Sequence, residues 1–178
     1  MLTGNSIKLR AIEPKDLDLM YHWENDTTIW NVSGTISPFS KYTLEEYIKT
    51  CQSDIYSNRQ LRFAIDLNDS SKTIGYIDLF EFDPQHRRAG VGILIGDQAE
   101  RKKSFAKESL SLLIDYAFNT LNLHQLYCNI PETNHASLRL FSSSGFKEAG
   151  ILKDWIMNHG DWQQVIVMQL INETETEE

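Results

Sequence analysis

Several things are scarce in this sequence, and each scarcity removes a class of explanation. There are two cysteines in 178 residues, Cys51 and Cys128. They lie far apart and in no metal-ligand spacing, which excludes a disulfide framework or a cysteine zinc site. One bridge or two free buried thiols remain, and free thiols in a reducing cytosol are the expectation. Proline is limited to four residues, and no Pro-rich or Gly/Ser-rich linker interrupts the chain. Positive charge is in deficit: 17 Lys and Arg stand against 25 Asp and Glu, for a net charge of −8. A nucleic-acid partner wants a basic face, so that class is excluded. The acidic balance serves solubility and also suits a cationic partner such as an amine. No apolar run approaches the roughly 18 residues of a membrane span. The opening segment MLTGNSIKLR lacks the apolar stretch of a signal peptide. A soluble, cytoplasmic protein with no membrane contact is expected.

What is present is 41% hydrophobic residues with no internal repeat. That is enough for one well-buried core and too little for two ordinary domains. Residues 1–172 read as one domain, and residues 173–178, ETETEE, as an acidic disordered tail. Ile7–Ala11 alternates in polarity as a strand does. Asp16–Asn25, entered through Glu13-Pro14, reads as a helix, as does Thr43–Ser53, where Thr43 and Glu46 have capping-box spacing. Strands follow over Leu61–Leu67, Thr73–Phe82 and Ala89–Ile95, and their short polar connections predict antiparallel hairpins. Ser104–Thr120 carries an apolar stripe through Leu110, Leu113, Ala117 and Leu121 and predicts a long amphipathic helix. Gln125–Ile130 is a further strand and Asn134–Ser144 a helix stopped by Gly145. Phe146–Trp155 and Trp162–Ile171 are the last strands, joined by a turn at His159-Gly160-Asp161. The order describes an α+β fold with helices over the faces of a sheet.

The most informative stretch is a glycine-bearing apolar strand, a basic loop and the long helix. A helix N-terminus gathers unpaired N–H groups and the positive end of the dipole, which suits a pyrophosphate. Arg101, Lys102 and Lys103 add three positive charges immediately before it.

Around this stretch the sequence resembles the GNAT superfamily, and more closely its spermidine/diamine and ribosomal-protein acetyltransferase branch. The resemblance runs over roughly Ile7–Leu170. It is carried by IKLRAIEPKDLDLMYHWEND, HRRAGVGILI, the helix ending IDYAF, LNLHQLYCNIPETNHASLRLFSSSGFKEAG and the segment Asp161–Met168. It implies a mixed, mostly antiparallel sheet of six to seven strands, splayed at the coenzyme site, with about four helices. It implies acetyl-CoA as co-substrate and no metal; the lone His124 and His135 agree with the latter. The family signature Q/R-x-x-G-x-G/A reads here Arg101-Lys102-Lys103-Ser104-Phe105-Ala106. Arg101 and Ala106 match it, while Ser104 replaces a glycine whose freedom at φ > 0 and close approach are normally used. Ile93, Leu94 and Ile95 would pair with the pantetheine arm as a pseudo-strand would. Asn134 falls near that arm by the resemblance and is equally suited to an N-cap. Ser137 and Phe141, four apart on one helix face, would look at the same arm.

Amine acetylation sets its own requirements. An alkyl ammonium has a pKa near ~10.4, so only about one molecule in a thousand is neutral at pH 7. A proton acceptor is needed, and a donor to the thioester oxygen, for which a backbone N–H of Ile93–Ile95 is the candidate. The base candidates are Asp78, Glu81, Asp83 and His86, with Glu24 as a further pocket carboxylate. Asp78 and Glu81 match the register in which related polyamine enzymes carry carboxylates. Three residues apart on a flat strand, they are expected on opposite faces. Many relatives have Glu directly after HRRA; here it is Gly90. Many also place a tyrosine on the last helix to protonate the leaving thiolate; here it is Phe141, which cannot donate. Water, Tyr127 or Ser142 would take over. The aromatic residues Trp23, Trp30, Phe39 and Tyr42 read as part core, part pocket wall, or as a cation cage.

Three functions are weighed. The leading one is acetyl transfer from acetyl-CoA to a primary amine on a small molecule, first of all a polyamine. Its rivals are acetylation of a protein N-terminus or ribosomal protein, and a degenerate coenzyme A-binding regulatory domain, suggested by Ser104, Gly90 and Phe141. A homodimer is expected because dimers are common in the branch.

Overall fold

The computed structural model describes residues 1–51, 54–158 and 160–173, with side chains at all of these except Asn31 and Val32. The expected helix end at residues 52–53, the turn residue His159 and residues 174–178 of the expected tail lie outside the described residues.

Alternating apolar residues build a single sheet of eight strands: β1 (Leu2–Thr3), β2 (Ile7–Ala11), β3 (Leu61–Leu67), β4 (Thr73–Asp83), β5 (Arg88–Ile95), β6 (Gln125–Pro131), β7 (Lys147–Asn158) and β8 (Asp161–Ile171), in spatial order β1-β2-β3-β4-β5-β6-β8-β7. The expected six to seven strands become eight because Leu2–Thr3 pairs with Lys8–Leu9 at the edge. Two residues are too few to display an alternation in sequence. All neighbours are antiparallel except β5 and β6, which run parallel and are joined through the long helix.

Six α-helical segments are described: α1 (Leu17–Glu24), α2 (Trp30–Ser33), α3 (Lys41–Thr50), α4 (Ile55–Asn58), α5 (Phe105–Asn119) and α6 (His135–Ser143). The four longer ones are those expected; the two four-residue ones fall in segments without a readable period. Helix α3 starts earlier than Thr43 suggested. Ser40 is the N-cap, its hydroxyl accepting from the Thr43 amide at 3.0 Å. The competing serine three residues upstream takes the cap, and Thr43 becomes the third helical residue.

Each sheet face has its own core. Helix α5 lays Leu110, Leu113 and Ala117 over Leu9, Ile65, Ile77, Leu79, Val91, Leu126 and Cys128. On the other face, α1 and α3 bury Met20, Trp23, Leu44 and Ile48 with Ile12, Ala64 and Tyr76. This second face also holds Arg10, whose guanidinium donates bidentately to Asp16 (2.7 and 2.8 Å), to Asp66 (2.7 Å) and to Thr73 Oγ1 (2.9 Å). Both carboxylates are 2% exposed. Remaining acceptor capacity on them is used by the Glu13 amide and the Thr73 hydroxyl.

Candidate active site

Parallel pairing between β5 and β6 is confined to Arg88–Gly90 against Gln125–Tyr127. Beyond Tyr127 the two strands part. Strand β5 stays laddered to β4 as far as Ile95, and β6 stays laddered to β8 as far as Pro131. Their facing edges, Val91–Ile95 and Cys128–Pro131, therefore form an open fork whose backbone groups have no strand between them. An extended chain with amide groups is the natural complement of such an edge.

The Arg101–Ala106 turn stands at the mouth of that fork. Arg101 Nε donates to the carbonyl oxygen of Ile95 at 2.8 Å, tying the loop to the last residue of β5. Helix α5 then begins, and its first internal bond is Glu108 N–H to Ser104 O. The amides of Phe105, Ala106 and Lys107 precede that bond, and Ser104 supplies no side-chain cap. Lys102 and Ser104 both have left-handed backbones, at φ 64° and 68°. Left-handed residues next to a helix start turn successive N–H groups to one side, forming an anion-binding concavity. Ser104 thus adopts the glycine-like conformation despite its Cβ, at a cost of about 1 kcal/mol. Of the three cations, Lys103 pairs with Glu100 at 2.9 Å, Arg101 uses its Nε on Ile95 O, and Lys102 has no ion-pair partner among the described residues.

The opposite wall comes from β6 and α6. Asn134 Oδ1 accepts from the Ser137 amide at 3.2 Å, so its capping role is realised. Helix α6 ends in a Schellman motif. Phe146 N–H donates to Phe141 O and Gly145 N–H to Ser142 O, with Gly145 at φ 95°. The accompanying apolar contact is Phe141 against Phe146, edge to face at 5.0 Å. Phe141 is 3% exposed and belongs to the core. It presents no proton donor, and the motif explains why its ring is held so firmly.

The α1/α3 face of β3, β4 and β5 carries a group of carboxylates. A Cβ built on Gly92 would lie 4.0 Å from Asp78 Oδ2, so this carboxylate sits over β5 just ahead of Ile93. Both of its oxygens accept from Arg62, Oδ1 from Nε at 2.7 Å and Oδ2 from Nη2 at 3.0 Å. Arg62 Nη1 donates to Glu24 Oε1 at 2.7 Å. Burial works against the Arg62 charge, and Asp78, with Tyr47 and Glu24, outweighs it and holds the guanidinium protonated. The expected opposite-face placement of Asp78 and Glu81 is corrected by a bulge. The β4–β5 register shifts between Phe80 and Asp83, and Glu81 takes φ 49°. The extra residue breaks the period of two and turns Glu81 toward Tyr127, whose hydroxyl donates to Glu81 Oε2. Phe80, Gly90 and Tyr127 lie in one row across the sheet. A Cβ on Gly90 would come within 2.3 Å of the Phe80 ring, so no larger residue fits there without moving that ring. A concavity of about 540 Å³ adjoins this row, lined by Arg59, Glu81, Asp83, Arg88, Gln125, Tyr127, Val167 and Gln169. Burial first, then the Glu81 bond, push the Tyr127 phenol up, so it stays protonated and able to donate.

The other base candidates are distributed elsewhere. Asp83 accepts from the His86 amide and from Arg88 at the β4–β5 turn, where His86 is exposed. The aromatic set does not assemble as one cage. Trp23 is core, packed over Gly96 and edge-on to Tyr76; Trp30 donates to Glu24 O; Phe39 and Tyr42 are exposed. Three other aromatics hold cations: Tyr47 and Tyr76, at 5.4 and 5.6 Å from Arg62 Cζ, and Tyr21, at 5.5 Å from Lys41 Nζ. Sequence reasoning passed over Arg62. Its one signal was an arginine on the same strand face as Ala64 and Asp66 within LRFAIDL, where a buried charge demands partners.

Comparison with known proteins gives the family of this chain. Residues 6–147 match the family model described as acetyltransferase (GNAT) domain. The chain belongs to the GNAT acetyltransferase family. Among curated relatives, the spermidine N(1)-acetyltransferase of Vibrio cholerae is 28% identical over 169 residues, covering 94% of each chain. That of Escherichia coli K12 is 26% identical over 168 residues, covering 94% of this chain and 87% of its own. The crystal structure of the Vibrio cholerae spermidine N-acetyltransferase with CoA and spermine superposes with a TM-score of 0.85 at 28% identity, over 93% of this chain and 95% of that one. As a GNAT acetyltransferase this chain is an acyltransferase with acetyl-CoA as co-substrate. The donor set fits that group: uncapped amides and two left-handed residues for a pyrophosphate, and an unpaired strand edge for an amide-bearing arm. Among the described residues no cluster of side chains suits a metal ion, and no helix is long and apolar enough to cross a membrane.

Proposed function

We propose that this chain transfers the acetyl group of acetyl-CoA to a primary amine of a small molecule in the cytoplasm, with polyamines as the first acceptors to test. The observation that carries the proposal is the Glu24–Asp78 carboxylate pair beside β5, immediately ahead of Ile93. The names of the spermidine acetyltransferase relatives support the acceptor class.

In this reading Arg101, Lys102 and Lys103 with the backbone of Ser104, Phe105 and Ala106 hold the pyrophosphate. Ile93, Leu94 and Ile95 bind the pantetheine arm through main-chain groups and polarise the thioester carbonyl. Asn134, Ser137 and Phe141 form the far wall. Acetyl-CoA, when bound, supplies an activated acyl carbon and a thiolate leaving group. Asp78 and Glu24 draw in the ammonium. Glu81 accepts its proton through Tyr127 or water, and Tyr127 replaces the donor that Phe141 lacks. A free thiolate at pH 7 costs only about 2 kcal/mol, so the missing tyrosine slows the step without forbidding it.

The test is free thiol release from acetyl-CoA with spermidine, simple diamines, monoamines and short peptides, alongside the thermal shift produced by acetyl-CoA. Release with small amines and none with peptides is expected. A clear thermal shift with no release from any amine would turn the reading into a coenzyme-binding domain. Self-association belongs to the same proposal, a homodimer being its simplest form. A Vibrio cholerae spermidine N-acetyltransferase has a dodecameric structure, and Trp155, Met157 and Trp162 of this chain stand exposed on the β7–β8 hairpin. Sedimentation of a single monomeric species at micromolar concentration would remove that part.

A further inference from the structure

The concavity of about 540 Å³ beside the fork is the size of a small-molecule site, for which roughly 300–1,000 Å³ is usual. Four of its lining side chains are charged: Arg59, Glu81, Asp83 and Arg88. Two of the four answer each other. Arg88 Nη2 donates to Asp83 Oδ2 at 3.3 Å, and Asp83 Oδ1 accepts from the His86 amide at 3.0 Å. The other two do not. Among the described residues, Glu81 receives only the neutral hydroxyl of Tyr127, and the Arg59 guanidinium has no hydrogen-bond or ion-pair partner. The backbone at Arg59 is fixed all the same. It ends α4 with φ 52°, and its carbonyl accepts at 3.0 Å from the amide of Phe82, the residue between Glu81 and Asp83.

One uncompensated anion and one uncompensated cation thus share a cavity without pairing with each other. That arrangement is complementary to a ligand that carries both signs. The rest of the wall is uncharged: Tyr127, Val167 and the carboxamides of Gln125 and Gln169, with Gln169 Nε2 donating to Gln125 Oε1 at 2.8 Å. The anionic end is also the reactive one. Glu81 is bonded to Tyr127, and Tyr127 faces Gly90 in the last parallel pair before the strands part. An amine held at Glu81 stands at the apex of the fork, and Arg59 is left for the remainder of the molecule.

We infer that this concavity seats a second class of acceptor, a primary amine that carries a carboxylate, with its ammonium at Glu81 and its carboxylate at the Arg59 guanidinium. The inference rests on the acetyl transfer proposed above; polyamines keep the route past Glu24 and Asp78. In the transfer step Glu81 takes one proton from the ammonium and later returns it to solvent. The freed nitrogen forms its bond to the acetyl carbon as the C–S bond breaks, and its second proton ends on the departing sulfur, directly or through Tyr127.

The test is titration calorimetry on the full chain saturated with CoA, which needs no turnover. Three amines of one chain length are compared: 4-aminobutyrate, its uncharged counterpart 4-aminobutanamide, and n-butylamine. 4-Aminobutyrate is expected to bind about tenfold tighter than either of the others, because only it forms a charge-assisted bond to Arg59. Arg59→Met is expected to remove that preference and Arg59→Lys to keep most of it. Glu81→Gln is expected to weaken all three amines by about tenfold and to preserve their order. Equal binding of the acid and the amide to the wild-type chain overturns the inference and requires no variant to fold. A folded Arg59→Met protein that retains the preference overturns it as well, and so does binding of none of the three. Thiol release from acetyl-CoA with n-butylamine, without any preference for 4-aminobutyrate, would sink the inference and leave the proposed reaction standing. The expected binding pattern without release from any amine would do the reverse.

Discussion

Two arginines on the same sheet face solve the same electrostatic problem in different ways. Arg10 and Arg62 are each shared between two carboxylates, Asp16 with Asp66 and Asp78 with Glu24. Around Arg10 the carboxylates are sealed and every strong donor is matched, down to the Thr73 hydroxyl and the Glu13 amide. Around Arg62 they are partly open, two tyrosine hydroxyls lack hydrogen-bond partners among the described residues, and Asp78 lies over β5, which borders the fork. A closed ion network fixes where α1 leaves the sheet. An open one leaves its carboxylates 17% exposed, which the proposed function uses to draw in an ammonium. The contrast shows that a buried arginine becomes informative about function through what is left unsatisfied beside it.

The comparison is broken most severely by Arg10→Met. It leaves two buried carboxylates without a cation, and a loss of about 3–5 kcal/mol is expected. Thermal and denaturant unfolding measure it; amine selectivity of any folded fraction should stay that of the wild type. Asp78→Asn should do the reverse. One oxygen still accepts from Arg62 while the amide nitrogen cannot, so stability falls by about 1–3 kcal/mol, less than for Arg10→Met, while kcat/KM for amine acetylation falls by about a hundredfold as the carboxylate charge is lost. A stability loss equal to that of Arg10→Met would erase the distinction between the two clusters. Tyr127→Phe tests the proton path at the fork. We expect kcat to drop about tenfold with KM for acetyl-CoA unchanged; an unaltered kcat would leave protonation to water. The smallest effect belongs to the mouth of the fork. Ser104→Gly should stabilise the fold by about 1 kcal/mol by relieving the left-handed backbone, and should leave coenzyme affinity equal or tighter. A tenfold weaker coenzyme would instead show that the serine hydroxyl is a ligand.

The local patterns carried much of this. The apolar stripe of α5 and the alternation of β3 to β6 place those elements within a residue or two, and the signature read onto Arg101–Ala106 falls at a helix start. Ser104 was legible as a departure from glycine, and its φ of 68° gives that departure physical content. Other points had no local signal. The cap of α3 moved to Ser40 because two hydroxyl residues competed for it. Glu81 joined Tyr127 because a bulge, which depends on the partner strand, broke the period of two. Tyr47 reached Arg62 only once α3 packed across β3 and β4.

The chain by itself determined the element order, the acidic balance and the basic turn before a long helix, since these follow from composition and from periodicities read along a few neighbouring residues. The tertiary structure alone decided that β5 and β6 part after Tyr127, that Gly90 lies beneath Phe80, and that Glu24, Arg62 and Asp78 meet. Those are contacts between residues up to 38 positions apart. Such contacts depend on strand order, register and helix docking, none of which leaves a trace in the spacing of the residues themselves.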